Sequence, residues 1–368
     1  MRNVGRLEGI PGFNIDKVAA AAGDDPEVLR MENLDTDLDP PAGVREATKE
    51  AVDRSEANSW LPFDGKPEMK EAVAGYIERR SGQRYDPLGE VVITSGEGEA
   101  WLNALLVVTD PGDEVVVTDP TYAGMINRVR LAGAVPKPVP LLPSQDGWRL
   151  DLDALGAAVG PRTRAVFVMN PSLPTGCVLT HDEWKAIADL CRRHDLWLIY
   201  AQLWEGIVFD GLPIVHPASL PDIRDRLIVA GSTVCEHRTI GWRIGWTVAP
   251  EGLRSDLSKT QIYNGLVPSG ILQAGVRVAL GEPDEDLARA VAEYERRRDE
   301  TLRQLEGFPV VPASGGWMVL METASMGIDP AEASRRMLEQ KVAVTQMRGW
   351  GADVAERYLR FVYSREPV

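Results

Sequence analysis

The stretch Ser232–Trp246, STVCEHRTIGWRIGW, decides how the rest of the chain is read. Before it runs RLIVAGS and at its end WRIGWTVAP, both nearly continuous in apolar residues. Such runs suit strands buried on both faces of a mostly parallel sheet. Between them stand Cys235, Glu236 and His237, a thiol, a carboxylate and an imidazole in succession. If this segment is locally extended, residues 235 and 237 face the same way.

The pattern repeats outward. GEVVITSG reads as a strand entering a turn, and EAWLNALLVVTD has the apolar spacing of a helix. DEVVVTDP, RAVFVMNP and LWLIYAQLW are further strand-like runs, and TYAGMINRVRLAG is a helix closed by glycine. In THDEWKAIADLCRRHD, Thr180 and Glu183 form a capping box, and Trp184, Ile187, Ala188 and Cys191 make one apolar face. This alternation from about Glu90 to Pro250 predicts an α/β layered domain with its ligand site beyond the carboxyl ends of the strands. After Pro250 a charged helix over Asp284–Leu305, the strands GGWMVLMET and RYLRFVYS, and a helix in DPAEASRRMLEQK predict a smaller α+β domain. The expected division is an N-terminal arm over residues 1–35 packing on the small domain, a large domain over 36–260 and a small one over 261–368.

Composition narrows the class. The chain has 368 residues, 44% of them hydrophobic, enough for full cores. A net charge of −15 disfavours nucleic acid or an anionic membrane as partner. The three cysteines, Cys177, Cys191 and Cys235, lack the spacing of a zinc site or a disulfide framework. No segment has the roughly 18 apolar residues of a membrane span, and the first residues lack the apolar core of a signal peptide. The expected location is the cytoplasm, and no metal is expected.

Taken in order, the landmarks SWLPFDGKPEMKEAVAGYIERRSG, VVITSGEGEAWLNAL, TDPTYAGM, MNPSLPTG, LIYAQLWEGIVFDG, GWRIGWTVAP and YLRFVYS resemble those of class I/II aminotransferases. These are fold-type I enzymes dependent on pyridoxal phosphate. The resemblance covers roughly Asn33 to Tyr363. It implies a large domain with a mostly parallel seven-stranded sheet between helices, a smaller α+β domain, and a homodimer. In such enzymes a lysine amine anchors the cofactor and a carboxylate supports the ring nitrogen. An asparagine and a tyrosine bond the ring oxygen.

Carried onto this chain, those positions are altered. The lysine lies eight residues before the arginine of GWRIG, here Arg243, so its place is taken by Cys235. The aspartate position is Ala201, the tyrosine position Trp204 and the asparagine position Leu173. An early tyrosine that reaches a neighbouring subunit is Trp60. Lys259, in an SKT-like tetrapeptide, falls sixteen residues after Arg243 rather than before it. Other positions persist. Arg243 and Ser232 match the phosphate-holding pair, and Gly96 and Gly98 flank a turn entering a helix. Tyr122 matches the residue that stacks on the cofactor, and Arg360 the arginine that holds a substrate carboxylate. Glu97 stands within the phosphate turn, where it would repel a phosphate.

These readings lead to the expectation of an enzyme without pyridoxal phosphate or any other cofactor. It would act on an amino-acid-derived carboxylate by acid–base elimination, isomerisation or cyclisation. His237 would move the proton near neutral pH, with Glu97, Glu236 and Cys235 beside it. Arg360, Arg243, Ser232, Tyr122, Trp204, Trp60 and Gln202 would hold the substrate. Two alternatives stay open at this point. One is non-covalent pyridoxal or pyridoxamine phosphate with a histidine in place of the lysine. The other is a catalytically dead ligand-binding or regulatory homologue.

Overall fold

The computed structural model describes residues 7–12 and 14–367. The strands in chain order are β1 (Leu29–Arg30), β2 (Val91–Thr94), β3 (Glu114–Asp119), β4 (Val135–Ser144), β5 (Gly147–Leu150), β6 (Thr163–Met169), β7 (Trp197–Gln202), β8 (Leu227–Ser232) and β9 (Gly245–Val248). After them come β10 (Val310–Val311), β11 (Met318–Met321), β12 (Val342–Ala343), β13 (Thr345–Gln346) and β14 (Leu359–Val362). The main sheet has the order β2-β9-β8-β7-β6-β3-β4-β5. Strands β4, β3, β6, β7 and β8 pair in parallel, while β9 runs against both β8 and β2.

The apolar runs in the sequence correspond to strands buried along their whole length in β2, β3, β8 and β9. The expected seven strands gain an eighth, because β4 turns at Gly147, φ +112°, into the short hairpin strand β5. Pro136, Pro138 and Pro140 occupy alternate positions of β4. Val135 donates its N–H to Asp113 on the inner side, so residues of the other parity face the outer edge. Prolines there leave no donor for a further strand to pair with.

The helices follow their apolar faces. The helix His181–His194 starts with the expected capping box, the Glu183 N–H donating to Thr180 Oγ1 and Glu183 Oε2 accepting from the Thr180 N–H. Trp184, Ile187, Ala188 and Cys191 on its inner face are buried. The helix Glu97–Val108 buries Ala100, Trp101, Ala104 and Leu105. Residue 260, where a domain change is expected, lies inside the helix Glu251–Asn264, which packs on Glu97–Val108. Beyond it stand the antiparallel sheet β10-β11-β14-β13 and the helix Asp284–Gln304, with Leu287 and Tyr294 buried. β1 pairs in parallel with β12, tying the early chain to this late region. Among the described residues no helix is long and apolar enough to cross a membrane.

The carboxyl ends of β2, β3, β6, β7 and β8 open on one side of the sheet. Because β9 inserts between β2 and β8, Gly245 pairs with both Thr94 and Ser232. A Cβ on Gly245 would lie 2.6 Å from the carbonyl carbon of Gly96 and 2.7 Å from the nitrogen of Glu97. Backbone cannot yield there as a flexible side chain would. Gly245→Ala is therefore expected to destabilise the fold by about 1–3 kcal/mol, read as a lowered urea midpoint with an unchanged slope.

Candidate active site

The turn at the end of β2 begins the site. Gly96, at φ +94°, lets the chain reverse into the helix Glu97–Val108, whose first N–H groups have no partner within the helix. Arg243, itself at φ +54°, lies against this turn: a Cβ on Gly96 would be 2.7 Å from its Nη2. Its Nη2 pairs with Glu97 Oε1 at 3.1 Å, and its Nη1 donates to the carbonyl of Ile240 at 3.3 Å. Ser232, the last residue of β8, is buried beside them. Arg128, on the helix Ala123–Leu131, closes the other side. Its Nε donates to the Gly98 carbonyl at 2.7 Å and its Nη1 to the Gly124 carbonyl at 2.9 Å, with the guanidinium 5.5 Å from the Trp101 ring. Helix N–H groups, a serine and two guanidiniums make a site for an anion.

Tyr122 lies between this turn and a second cationic centre. Burial pushes its phenol up, so it is a protonated donor at neutral pH, and the charges of Arg128, Glu97, Arg360 and Arg243 all act on it. Its ring is 5.4 Å from Trp350 and 6.1 Å from Trp101. Arg360, on β14, is fully buried, with its guanidinium 4.6 Å from the other neighbour of Tyr122, the Trp350 ring. Its Nη2 donates to the Glu32 carbonyl, whereas Nε and Nη1 have no hydrogen-bond partner. Burial pulls its pKa down to about 10, which leaves it a cation at pH 7. A buried guanidinium with two unmet donors calls for an acceptor, and a carboxylate supplies one together with a compensating charge. Neither Trp350 nor Arg128 is singled out by its sequence neighbourhood; only the fold brings them here.

The floor differs from the expected one. The segment after β8 is a turn, not an extended strand, with the His237 N–H donating to the Thr233 carbonyl at 3.0 Å and Arg238 at φ +55°. Residues 235 and 237 therefore do not share a face. Cys235 is buried near Glu97, Glu236 and Arg243; burial, then the two carboxylates, push its thiol well up, with Arg243 opposing them. Such a thiol is a poor nucleophile. Glu236 accepts from Tyr76 Oη at 2.7 Å, the Gly206 N–H at 2.5 Å and Arg80 Nη2 at 2.8 Å. Burial alone would raise its carboxyl, but Arg80 and these donors hold it below the ordinary value. His237 feels Glu236, Arg238, Arg80 and Asp286 rather than the cleft groups, and burial pushes it down to about 4. It is neutral at pH 7, so the expected proton carrier near neutrality is corrected by its desolvation.

The remaining expected residues are also placed. Gln202 is buried, and its Nε2 donates to Glu205 Oε2 at 3.0 Å. Trp204 is buried, donates from Nε1 to the Pro171 carbonyl at 2.7 Å and packs edge-on to Trp317. Ala201 and Leu173 are buried apolar residues. Trp60 is 71% exposed and packs edge-on with Phe63. Lys259 sits on the helix Glu251–Asn264 and pairs with Asp256 at 2.8 Å. Among the described residues no cluster suited to a metal occurs.

On the positions that the resemblance assigns, a pyridoxal phosphate group would find matching residues at one end only. The turn at Gly96–Gly98 with Ser232, Arg243 and the Tyr122 ring suits the phosphate end. At the ring end, position 235 presents a thiol, which cannot form the nitrogen bond that a lysine amine makes. Positions 201, 173 and 204 present a methyl, an isobutyl and an indole where a carboxylate, an amide and a phenol would serve the ring.

The comparisons with known proteins bear on the reaction. A family model described as aminotransferase class I and II matches residues 28–366. An arginine–pyruvate transaminase of Pseudomonas aeruginosa is 31% identical over 349 residues, 93% of this chain and 87% of that one. An aromatic-amino-acid aminotransferase of Thermococcus litoralis is 31% identical over 366 residues, 98% and 93% of the two chains. Among solved structures, the N-succinyldiaminopimelate aminotransferase from Mycobacterium tuberculosis superposes with a TM-score of 0.93 at 30% identity, covering 99% of this chain and 96% of its own. These findings overturn the expectation of a cofactor-free lyase, isomerase or cyclase. They point to transamination, for which the family's cofactor is pyridoxal phosphate. By fold and by descent, this chain belongs to the class I and II aminotransferases.

Proposed function

We propose that the chain is an enzyme that binds an amino-acid substrate for amino-group transfer, with the substrate's α-carboxylate on Arg360. The phosphate of its cofactor would lie in the turn at Gly96–Gly98, under Arg243 and Ser232. The observation that carries this reading is Arg360: fully buried, cationic, and with Nε and Nη1 lacking partners. A carboxylate seated there would accept from one of these donors and be kept from water by the Trp350 ring. Tyr122, protonated, stands between that guanidinium and the phosphate turn as a donor.

Pyridoxal phosphate, when bound, supplies a ring that withdraws electrons from the amino acid. No step through it follows from these residues, because the groups at positions 235, 201, 173 and 204 do not match its ring end. What this chain itself contributes is orientation and charge. Arg360 and Arg243 fix the two anionic ends of the cleft, and the apolar floor of Ala201, Leu173 and Trp204 excludes water. The names of the relatives, which act on arginine and pyruvate or on aromatic amino acids, support an amino acid and a 2-oxo acid as substrates. A homodimer is part of the same proposal. The exposed indole of Trp60, edge-on to Phe63, suits a residue that completes a neighbouring chain's cleft.

The test is a panel of amino acids incubated with pyruvate and added pyridoxal phosphate, with alanine formation as the readout. Alanine is expected with at least one donor, and Arg360→Gln should lower kcat/KM by about a hundredfold or more. Absence of alanine from every donor at saturating cofactor would sink the transamination reading. Borohydride reduction in the presence of pyridoxal phosphate should leave the peptide containing Cys235 unmodified by mass spectrometry. Light scattering should give twice the 40.4 kDa chain mass, and Trp60→Ala should weaken the association.

A further inference from the structure

Glu97 has no part in the proposed function, yet it stands at the centre of the phosphate turn. It is the first residue of the helix Glu97–Val108, where an acidic side chain is locally favoured by the helix dipole. Its Oε1 takes the Nη2 of Arg243 at 3.1 Å, while its Oε2 is buried without a hydrogen-bond partner. Arg243 is thus already engaged at the place where a phosphate would bond it. The charged and titratable groups facing Glu97 come from three other elements. Arg243 and Cys235 lie on the segment between β8 and β9, Tyr122 precedes the helix Ala123–Leu131, and Arg128 lies on that helix.

We propose that Glu97 is a specificity-determining residue of the phosphate subsite, which holds Arg243 until an anion displaces it. The inference rests on the reading that this turn takes a phosphate. With the carboxylate in place, Arg243, Arg128 and Glu97 together carry one net positive charge instead of two. A dianionic phosphate must then break the Glu97–Arg243 pair and lie beside the freed carboxylate. Room for this exists, since the Arg243 side chain is 47% exposed and can follow the anion or the carboxylate outward. The residue therefore discriminates against dianionic phosphate, the pyridoxal ester included, and admits only ligands whose other contacts outweigh the repulsion. A ligand lacking phosphate is not subject to this penalty.

Isothermal titration of the full chain at pH 8 tests this with three probes: inorganic phosphate, pyridoxal 5′-phosphate and unphosphorylated pyridoxal. Glu97→Gln and Glu97→Ser are both measured, so that a folding defect in one leaves the other. The expected result is at least about tenfold tighter binding of both phosphorylated probes by the variants, with pyridoxal unchanged. Equal or weaker binding of the phosphorylated probes by folded variants overturns the role of Glu97. An equal gain for pyridoxal overturns it as well, because the effect would not act through phosphate. If neither wild type nor variants bind either phosphorylated probe, the phosphate turn itself is misassigned, and the inference falls with it.

Discussion

The cleft depends on a backbone-to-backbone contact at one edge of the main sheet. Gly245 opens β9 between β2 and β8, and its α-carbon presses on the peptide joining Gly96 to Glu97. No side chain fits there. That approach brings the end of β2, the end of β8 and Arg243 within a few residues of one point, although Gly96 and Arg243 are far apart in sequence. A parallel sheet alone would not achieve it, since its strand ends are spaced across the sheet edge. The antiparallel insertion of β9 folds the segment after β8 back over the turn.

The electrostatics of the cleft follow from how its cations are held. The chain carries a net charge of −15, yet Arg128, Arg243 and Arg360 gather around Tyr122. Two of the three are anchored mainly by carbonyl oxygens rather than carboxylates: Arg128 by Gly98 and Gly124, Arg360 by Glu32. A carbonyl fixes a guanidinium without cancelling its charge, so a positive potential survives at these positions inside an acidic protein. Arg243 is the exception, since its pairing with Glu97 neutralises that one side of the cleft.

Behind the floor lies a second, separate polar system. Arg80 on the helix Pro67–Ser81 bonds Glu236 at 2.8 Å and lies 3.7 Å from Glu205, with Tyr76, Tyr200 and Gln202 completing the hydrogen bonds. Glu236 and Gln202 are absorbed by this network, and His237 borders it. Buried carboxylates need such partners to stay charged. The cluster fastens the turn after β8 to the helices beneath, so the chemically suggestive segment Cys235–His237 is largely structural support for the loop that carries Arg243.

How much of this could be read from the chain depends on the range of the interactions. Strand and helix identity, the capping box at Thr180, the glycine turn at Gly96 and the resemblance to aminotransferases are local in sequence, so periodicity and motif spacing determined them. The same is true of the thiol at position 235 and the arginines at 243 and 360, whose roles depend on fixed places in a motif. Other features are set by contacts between distant segments. Burial took His237 out of the range of a neutral-pH proton carrier, and a turn rather than an extended run separated it from Cys235. Trp350 and Arg128 entered the cleft from segments with no local signature, and Glu97 met Arg243 across 146 residues. Desolvation and side-chain approach are properties of the packed chain, and only the tertiary structure decided them.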